Sequence, residues 1–196
     1  MRHKLPRSFY CRPTLQVARE LLGMHLVRKL GSRELVGMIV EVEAYLGKRD
    51  PASHAFRGRT KRNDVMFWRG GHLYVYFTYG MHFCANVVTR NEGIGEAVLI
   101  RAVEPMKGIV TMRRNRGLPA QERNLRLLTS GPARFCEAFG IQREDNGTDL
   151  LGKKIYLVQK RRIPGSRVEA SNRIGIKVGT KKRWRFFIRN NRFVSR

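Results

Sequence analysis

The chain has 196 residues, 42% of them hydrophobic, with 40 Lys and Arg against 15 Asp and Glu, a formal charge of +25. That length and hydrophobic content suit one folded domain with a substantial core and argue against a disordered tail or two full domains. The charge points to a polyanionic partner, nucleic acid before an anionic membrane, and no segment is apolar enough to span a bilayer.

In chain order, Pro13-Thr14 ahead of an amphipathic run ending at Gly23 predicts a short helix with Thr14 as its cap. Residues 24–30 and 35–46, around the turn Gly31-Ser32-Arg33-Glu34, predict a hairpin. Its second strand is the most informative stretch of the chain. Side chains alternate across a strand, so Val36, Met38, Val40, Val42, Ala44 and Leu46 are expected to face a core. Ile39, Glu41, Glu43 and Tyr45 then share the other face. A carboxylate buried in a strand is costly unless it is paired or used, so in so basic a chain these acids are expected to have a task.

Residues 47–71, rich in Gly, Arg and Asn, read as a long loop of the functional or mobile kind. Residues 73–78 and 82–89 predict two strands joined by a tight turn at Tyr79-Gly80-Met81, and residues 97–103 a further strand interrupted by Arg101. Residues 106–128 have a helical charge pattern broken by Gly117-Leu118-Pro119. Pro132 opens a helix over 133–139 that stops at Gly140. Residues 155–158, 173–178 and 185–189 predict late strands. Helices and strands are mixed without strict alternation, so the expected class is α+β: one mixed domain over residues 1–196, with a curved, largely antiparallel sheet and flanking helices.

The charge is uneven. Residues 151–196 hold fifteen Lys or Arg and a single acid, Glu169. Runs such as Lys153-Lys154, Lys160-Arg161-Arg162 and Lys181-Lys182-Arg183-Trp184-Arg185 are expected to grip phosphates without reading sequence. Glu41, Glu43, Asp50, Asp64, Glu92, Glu96 and Glu104 all come earlier, which suggests a chemical centre separate from a backbone-gripping surface. Cys11, Cys84 and Cys136 are few and widely spaced, as in a reducing compartment. Neither Cys-x-x-Cys nor His-Glu-x-x-His occurs, and the zinc-deaminase pattern is missing, so no metal or cofactor is expected. The first residues contain no apolar signal region, so an intracellular, soluble protein is expected.

Several residues could do chemistry. Tyr79, on a tight turn, is placed to act as a wedge of the kind that replaces a base pushed out of a duplex. Tyr74 and Tyr76 share one strand face and, by themselves, read as ordinary cross-strand packing residues. Arg101 lies among apolar neighbours and needs a carboxylate, Glu41 or Glu43, whether for chemistry or only for structure. His54 falls in the long loop, and Asn86 interrupts an apolar strand.

Taken in order, Glu41-Val42-Glu43-Ala44-Tyr45-Leu46-Gly47, His54, Tyr74-Val75-Tyr76, Tyr79-Gly80-Met81, Cys84-Ala85-Asn86, Leu99-Ile100-Arg101-Ala102-Val103-Glu104-Pro105 and Ser130-Gly131-Pro132 closely resemble the alkyladenine (3-methyladenine) DNA glycosylase family, from about Leu15 onward. The resemblance implies a monofunctional enzyme of base-excision repair whose β-hairpin enters double-stranded DNA. A damaged purine is flipped into a pocket and its N-glycosidic bond hydrolysed. Glu43 matches the general base and Arg101 the group that helps hold the water. Tyr45, His54 and Tyr76 match the walls of the base pocket, Asn86 the residue that excludes the 2-amino group of guanine, and Leu99 a lining residue. Tyr79 matches the intercalating residue. No cofactor is implied, and the expected state is a monomer, cytoplasmic and nucleoid-associated in a prokaryote, the side to which the sequence leans, or nuclear in a eukaryote. The rival reading, a non-catalytic basic nucleic-acid-binding protein, explains the charge but not two glutamates on one strand face. A nuclease would call for clustered metal-binding acids.

Overall fold

Strand β2 organises the molecule. A computed structural model of the protein describes residues 3–78, 80–160 and 162–195. Its elements are α1 (Arg7–Tyr10), α2 (Thr14–Leu21), β1 (His25–Leu30), β2 (Arg33–Tyr45), β3 (Leu73–Thr78), β4 (His82–Thr89), β5 (Glu96–Lys107), α3 (Ile109–Asn115), α4 (Arg126–Thr129), α5 (Pro132–Phe139), β6 (Ile155–Val158), β7 (Val168–Ser171) and β8 (Arg185–Ile188). All the strands join one sheet of order β3-β4-β5-β2-β1-β6, with every pairing antiparallel. One edge of β2 carries β5. The other carries β1 along its first half and β8 along Glu41–Glu43, with β7 outside β8. The class is α+β, as the mixture of helical and strand signals indicates.

The ladder between β2 and β5 shifts register at three places, and one of them matters for the faces of β2. The ladder to β5 slips between Ile39 and Glu41, so that Ile39 and Val40 are both fully buried in the main core. A bulge adds one residue to one strand and flips the phase of everything beyond it. Leu35 and Ile39 therefore share the core with Val40, Val42, Ala44 and Leu46, whereas Val36, expected with them, belongs to a satellite cluster with Val27, Tyr156 and Val158. The phase that presents Glu41 and Glu43 is set by this slip.

Helix α5 covers the sheet beside β4 and β5. Phe135 and Phe139 are fully buried, with ring centroids 5.1 Å apart. Truncating either to Ala would cost about 3–5 kcal/mol. Gly37 makes that approach possible, because a Cβ there would stand 2.8 Å from Val103 and 3.0 Å from Phe139. As expected, Pro132 begins α5 and Gly140 follows it.

Two further expectations are corrected. Thr14 is the first residue of α2 rather than its cap; Pro13 precedes the helix, and the Thr14 hydroxyl instead meets Glu96 (2.5 Å) and Thr89 (2.7 Å). Residues 173–178 form no strand. The N–H of Ile174 donates to a glutamate side chain, and Gly175 sits at φ +75°, so this backbone cannot join a ladder. The edge partner of β8 is Val168–Ser171 instead. The charged stretch 106–128 divides into the end of β5, α3 and α4. Among the described residues, no helix is long and apolar enough to cross a membrane.

Candidate active site

The two glutamates of β2 meet Arg101 of β5 because the strands run side by side, with Glu43 opposite Leu99 and Glu41 opposite Ala102. Both carboxylates are fully buried, yet they are served differently. Glu41 Oε1 accepts from Arg101 Nε (2.9 Å), Arg185 Nε (2.7 Å) and Ser195 Oγ (2.8 Å), and its Oε2 accepts from the Ser195 N–H (2.6 Å). Glu43 Oε1 accepts from the Ile174 N–H (2.7 Å), with Arg101 Nη1 at 3.3 Å, and its Oε2 accepts from the Tyr45 hydroxyl (2.9 Å).

Burial raises the Glu43 pKa above the usual carboxylate range; Arg101, the Ile174 N–H and Tyr45 pull it back, and Glu41 adds to the rise. For Arg101, burial opposes the charge, but Glu43 and Glu41 outweigh it and hold the guanidinium protonated. The long-range partners Ser195 and Ile174 escaped the sequence reading, and Arg185, expected in the phosphate-gripping run, is instead buried against Glu41. Arg185 shares the signal that marked Arg101, an arginine between apolar neighbours (Trp184 and Phe186). Ser195 and Ile174 act partly or wholly through backbone N–H groups, which no side-chain pattern reveals.

Beside this network lies a cavity of about 470 Å³. Tyr45, His54, Tyr76, Asn86, Leu99 and Arg101, all singled out from the sequence, line it together with Tyr74, Cys84 and the 174–178 segment. Glu43 is one layer back, behind Tyr45 and Arg101. His54 Nδ1 lies 3.0 Å from the Tyr74 hydroxyl, and its ring meets Tyr76 edge-on with centroids 4.5 Å apart. Tyr74 and Tyr76 stack at 5.5 Å, and Asn86 Nδ2 donates to the Tyr74 carbonyl (3.2 Å). Burial, and then the charge of Arg62, lower the His54 pKa and favour a neutral ring. Burial pushes Tyr74 up to about 12 and raises Tyr76; it also raises Tyr45, with the Glu43 charge adding to the effect. These walls are therefore uncharged aromatic surfaces beside two cations of the lining, Arg101 and Lys177, and a recessed acid.

The family model described as methylpurine-DNA glycosylase (MPG) matches residues 8–192. The chain belongs to that family. It is a DNA glycosylase, a hydrolase of N-glycosyl bonds whose substrate is DNA. Similar proteins named "Putative 3-methyladenine DNA glycosylase" include one from Carboxydothermus hydrogenoformans, 48% identical over 98% of both chains. Another, from Burkholderia lata, is 47% identical over 97% of this chain and 90% of its own. A third, from Clostridium acetobutylicum, is 44% identical over 98% and 97%.

In this glycosylase, Tyr79 lies outside the described residues. Its neighbour Met81 is 70% exposed at the end of the β3–β4 hairpin. The three cations singled out for phosphate are not part of the cavity wall. Lys181 and Arg183 are exposed, and Arg183 Nη2 donates to the Ala170 carbonyl (2.6 Å). Lys182 donates to the Arg49 carbonyl (2.7 Å) and lies 4.2 Å from the centroid of the Trp184 ring.

Proposed function

We propose that this glycosylase excises alkylated or deaminated purines, of the 3-methyladenine, hypoxanthine and ethenoadenine type, from double-stranded DNA. The purine leaves the base stack and enters the cavity bounded by Tyr45, His54 and Tyr76. Glu43 takes a proton from a water whose oxygen attacks C1′, and the bonding pair of the C1′–N bond departs with the base. An abasic site remains and the strand is not cut.

The observation that carries this reading is the state of Glu43. A carboxylate can accept about four hydrogen bonds; Tyr45 and Ile174 supply two, Arg101 approaches at 3.3 Å, and acceptor capacity remains for a water. Burial raises its proton affinity toward the range in which a general base works best. Arg101, shared between Glu41 and Glu43, lines the cavity and can steady that water. The cavity falls within the roughly 300–1,000 Å³ typical of small-molecule pockets.

Aromatic walls favour electron-poor purines, and cationic ones most of all. Cationic 3-methyladenine departs readily, while neutral lesions need a proton on the leaving base. Asn86, in the cavity lining, excludes the guanine 2-amino group, and Leu99 completes the wall. Tyr79 fills the gap left in the duplex, and Lys181, Lys182 and Arg183 grip its backbone. The enzyme works without a cofactor, as a monomer in the cytoplasm. The names of the relatives support the purine class.

The test is single-turnover release of free base from duplexes containing hypoxanthine, ethenoadenine or an alkylated purine, with chelator present. Release that leaves a strand broken only by alkali is the expected result. Tight, salt-sensitive binding with no release from any lesion would discard the reading.

A further inference from the structure

Asp50 and Arg173 form an ion pair with both side chains 0% exposed. It is bidentate, Nη1 to Oδ2 at 2.5 Å and Nη2 to Oδ1 at 2.7 Å. Nothing in the proposed chemistry uses it. A buried pair of this kind brings little net stability, because the desolvation of both ions offsets their attraction. Arg173 Nε, moreover, has no hydrogen-bond partner. The pair is better explained by where it ties the chain.

Each member stands at the root of a loop that lines the cavity. Pro51 and Ala52 follow Asp50, and residues 174–178 follow Arg173. Asp50 also accepts from the N–H groups of Leu46 and Ala52, which folds its own loop around the carboxylate. Arg173 Nη1 donates to the carbonyl of Ala44, the residue between Glu43 and Tyr45 on β2 (3.0 Å). Its guanidinium carbon lies 4.6 Å from the Tyr45 ring centroid. The next residue, Ile174, gives its N–H to Glu43. One guanidinium thus fixes the loop before the cavity, the backbone between base and wall, the wall itself, and the donor that holds the base.

We propose that the Asp50–Arg173 pair is a latch that positions Glu43 and Tyr45, making both of its members positioning residues for base excision. The proposal rests on the reading of Glu43 as general base. The groups facing Glu43 are Arg101 from β5, Tyr45 and Glu41 from its own strand, the Cys84 thiol from β4 and the Ile174 N–H. Arg173 reaches it through Tyr45 and Ile174. Loosening the latch withdraws the Ile174 donor from the carboxylate, so its pKa rises further and the acid limb of the pH–rate profile moves to higher pH.

The deciding variant is Arg173→Lys in the full chain, because it leaves Asp50 paired while removing the two-pronged contact and the flat stacking surface. The readout is single-turnover excision of hypoxanthine from duplex DNA as a function of pH. Expected are a rate lower by about 10²-fold and an acid limb displaced upward, with the thermal unfolding midpoint little changed. Asp50→Asn should reproduce both effects wherever it folds. Asp145→Asn, at the buried Arg28–Asp145 pair, neither of whose members lines the cavity, should lower the unfolding midpoint without moving the limb. A wild-type rate and profile in Arg173→Lys would overturn the latch. Glu43→Gln, measured alongside, keeps the two ideas apart. Activity surviving in Glu43→Gln removes the general base, and the Arg173→Lys rate alone then decides the latch. An inactive Glu43→Gln beside an unaltered Arg173→Lys removes the latch and spares the base.

Discussion

Glu41 and Glu43 lie two residues apart on one strand, both fully buried, and they do opposite things. Glu41 is saturated, with two guanidinium groups, a hydroxyl and a backbone N–H converging on it. Glu43 has two neutral donors and one longer approach from a cation. The first arrangement secures the folded state and leaves nothing for a substrate. The second leaves an acceptor open and a pKa raised by burial. On the proposed reading of Glu43 as general base, what separates a structural carboxylate from a reactive one is how many of its acceptor positions the protein has already filled.

That contrast can be broken most sharply at Glu43. Glu43→Gln should reduce single-turnover excision by roughly 10²–10⁴-fold while affinity for damaged duplex, followed by a mobility-shift titration, stays near wild type. Next in size is Glu41→Gln, which strands Arg101 and Arg185 and should lower stability by about 3–5 kcal/mol in denaturant titration. The two should differ in sign on stability. A raised carboxylate pKa means the folded state favours the neutral form. Its stabilising effect is present at low pH and lost as pH rises through the folded-state value. At neutral pH the neutral side chain of Glu43→Gln should therefore raise the thermal midpoint, where Glu41→Gln lowers it. Similar losses of stability in both would erase the distinction.

A smaller effect sharpens the same point. Tyr45→Phe removes one donor from Glu43 while keeping the aromatic wall. The acid limb of the pH–rate profile should then move upward, with the plateau rate falling by less than about tenfold, the scale of one modest hydrogen bond. The smallest effect belongs to the basic tract. Replacing Lys181, Lys182 and Arg183 by Gln should flatten the log–log salt dependence of DNA binding by about 0.9 for each phosphate no longer neutralised, leaving the excision rate at saturation unchanged. An unaltered salt slope would take those three cations out of the DNA interface.

Much of the site could be read in advance because it is local. The alternating strand around Glu43 and Tyr45, the hairpin of residues 73–89 and the arginine set in an apolar strand are short-range patterns, and their residues gather at one cavity. The misreadings share a cause. Val36 changed faces because a bulge is a property of the ladder between β2 and β5, not of β2 alone. Residues 173–178 read as a strand because their apolar content is strand-like. The Ile174 N–H is used in the site, and Gly175 bends away from extended geometry.

The sequence by itself determined the class of elements, the basic surface, the acids that had to be paired or used, and the aromatic residues available for a pocket. Periodicity and charge are carried by neighbouring residues and survive without a fold. The tertiary structure alone decided which glutamate is saturated and which is left open. That outcome depends on Arg185, Ser195, Ile174 and the Asp50–Arg173 pair, groups more than a hundred residues away from the strand they serve or from one another. Hydrogen-bond saturation is a count of neighbours in space, and only the folded chain brings those neighbours together.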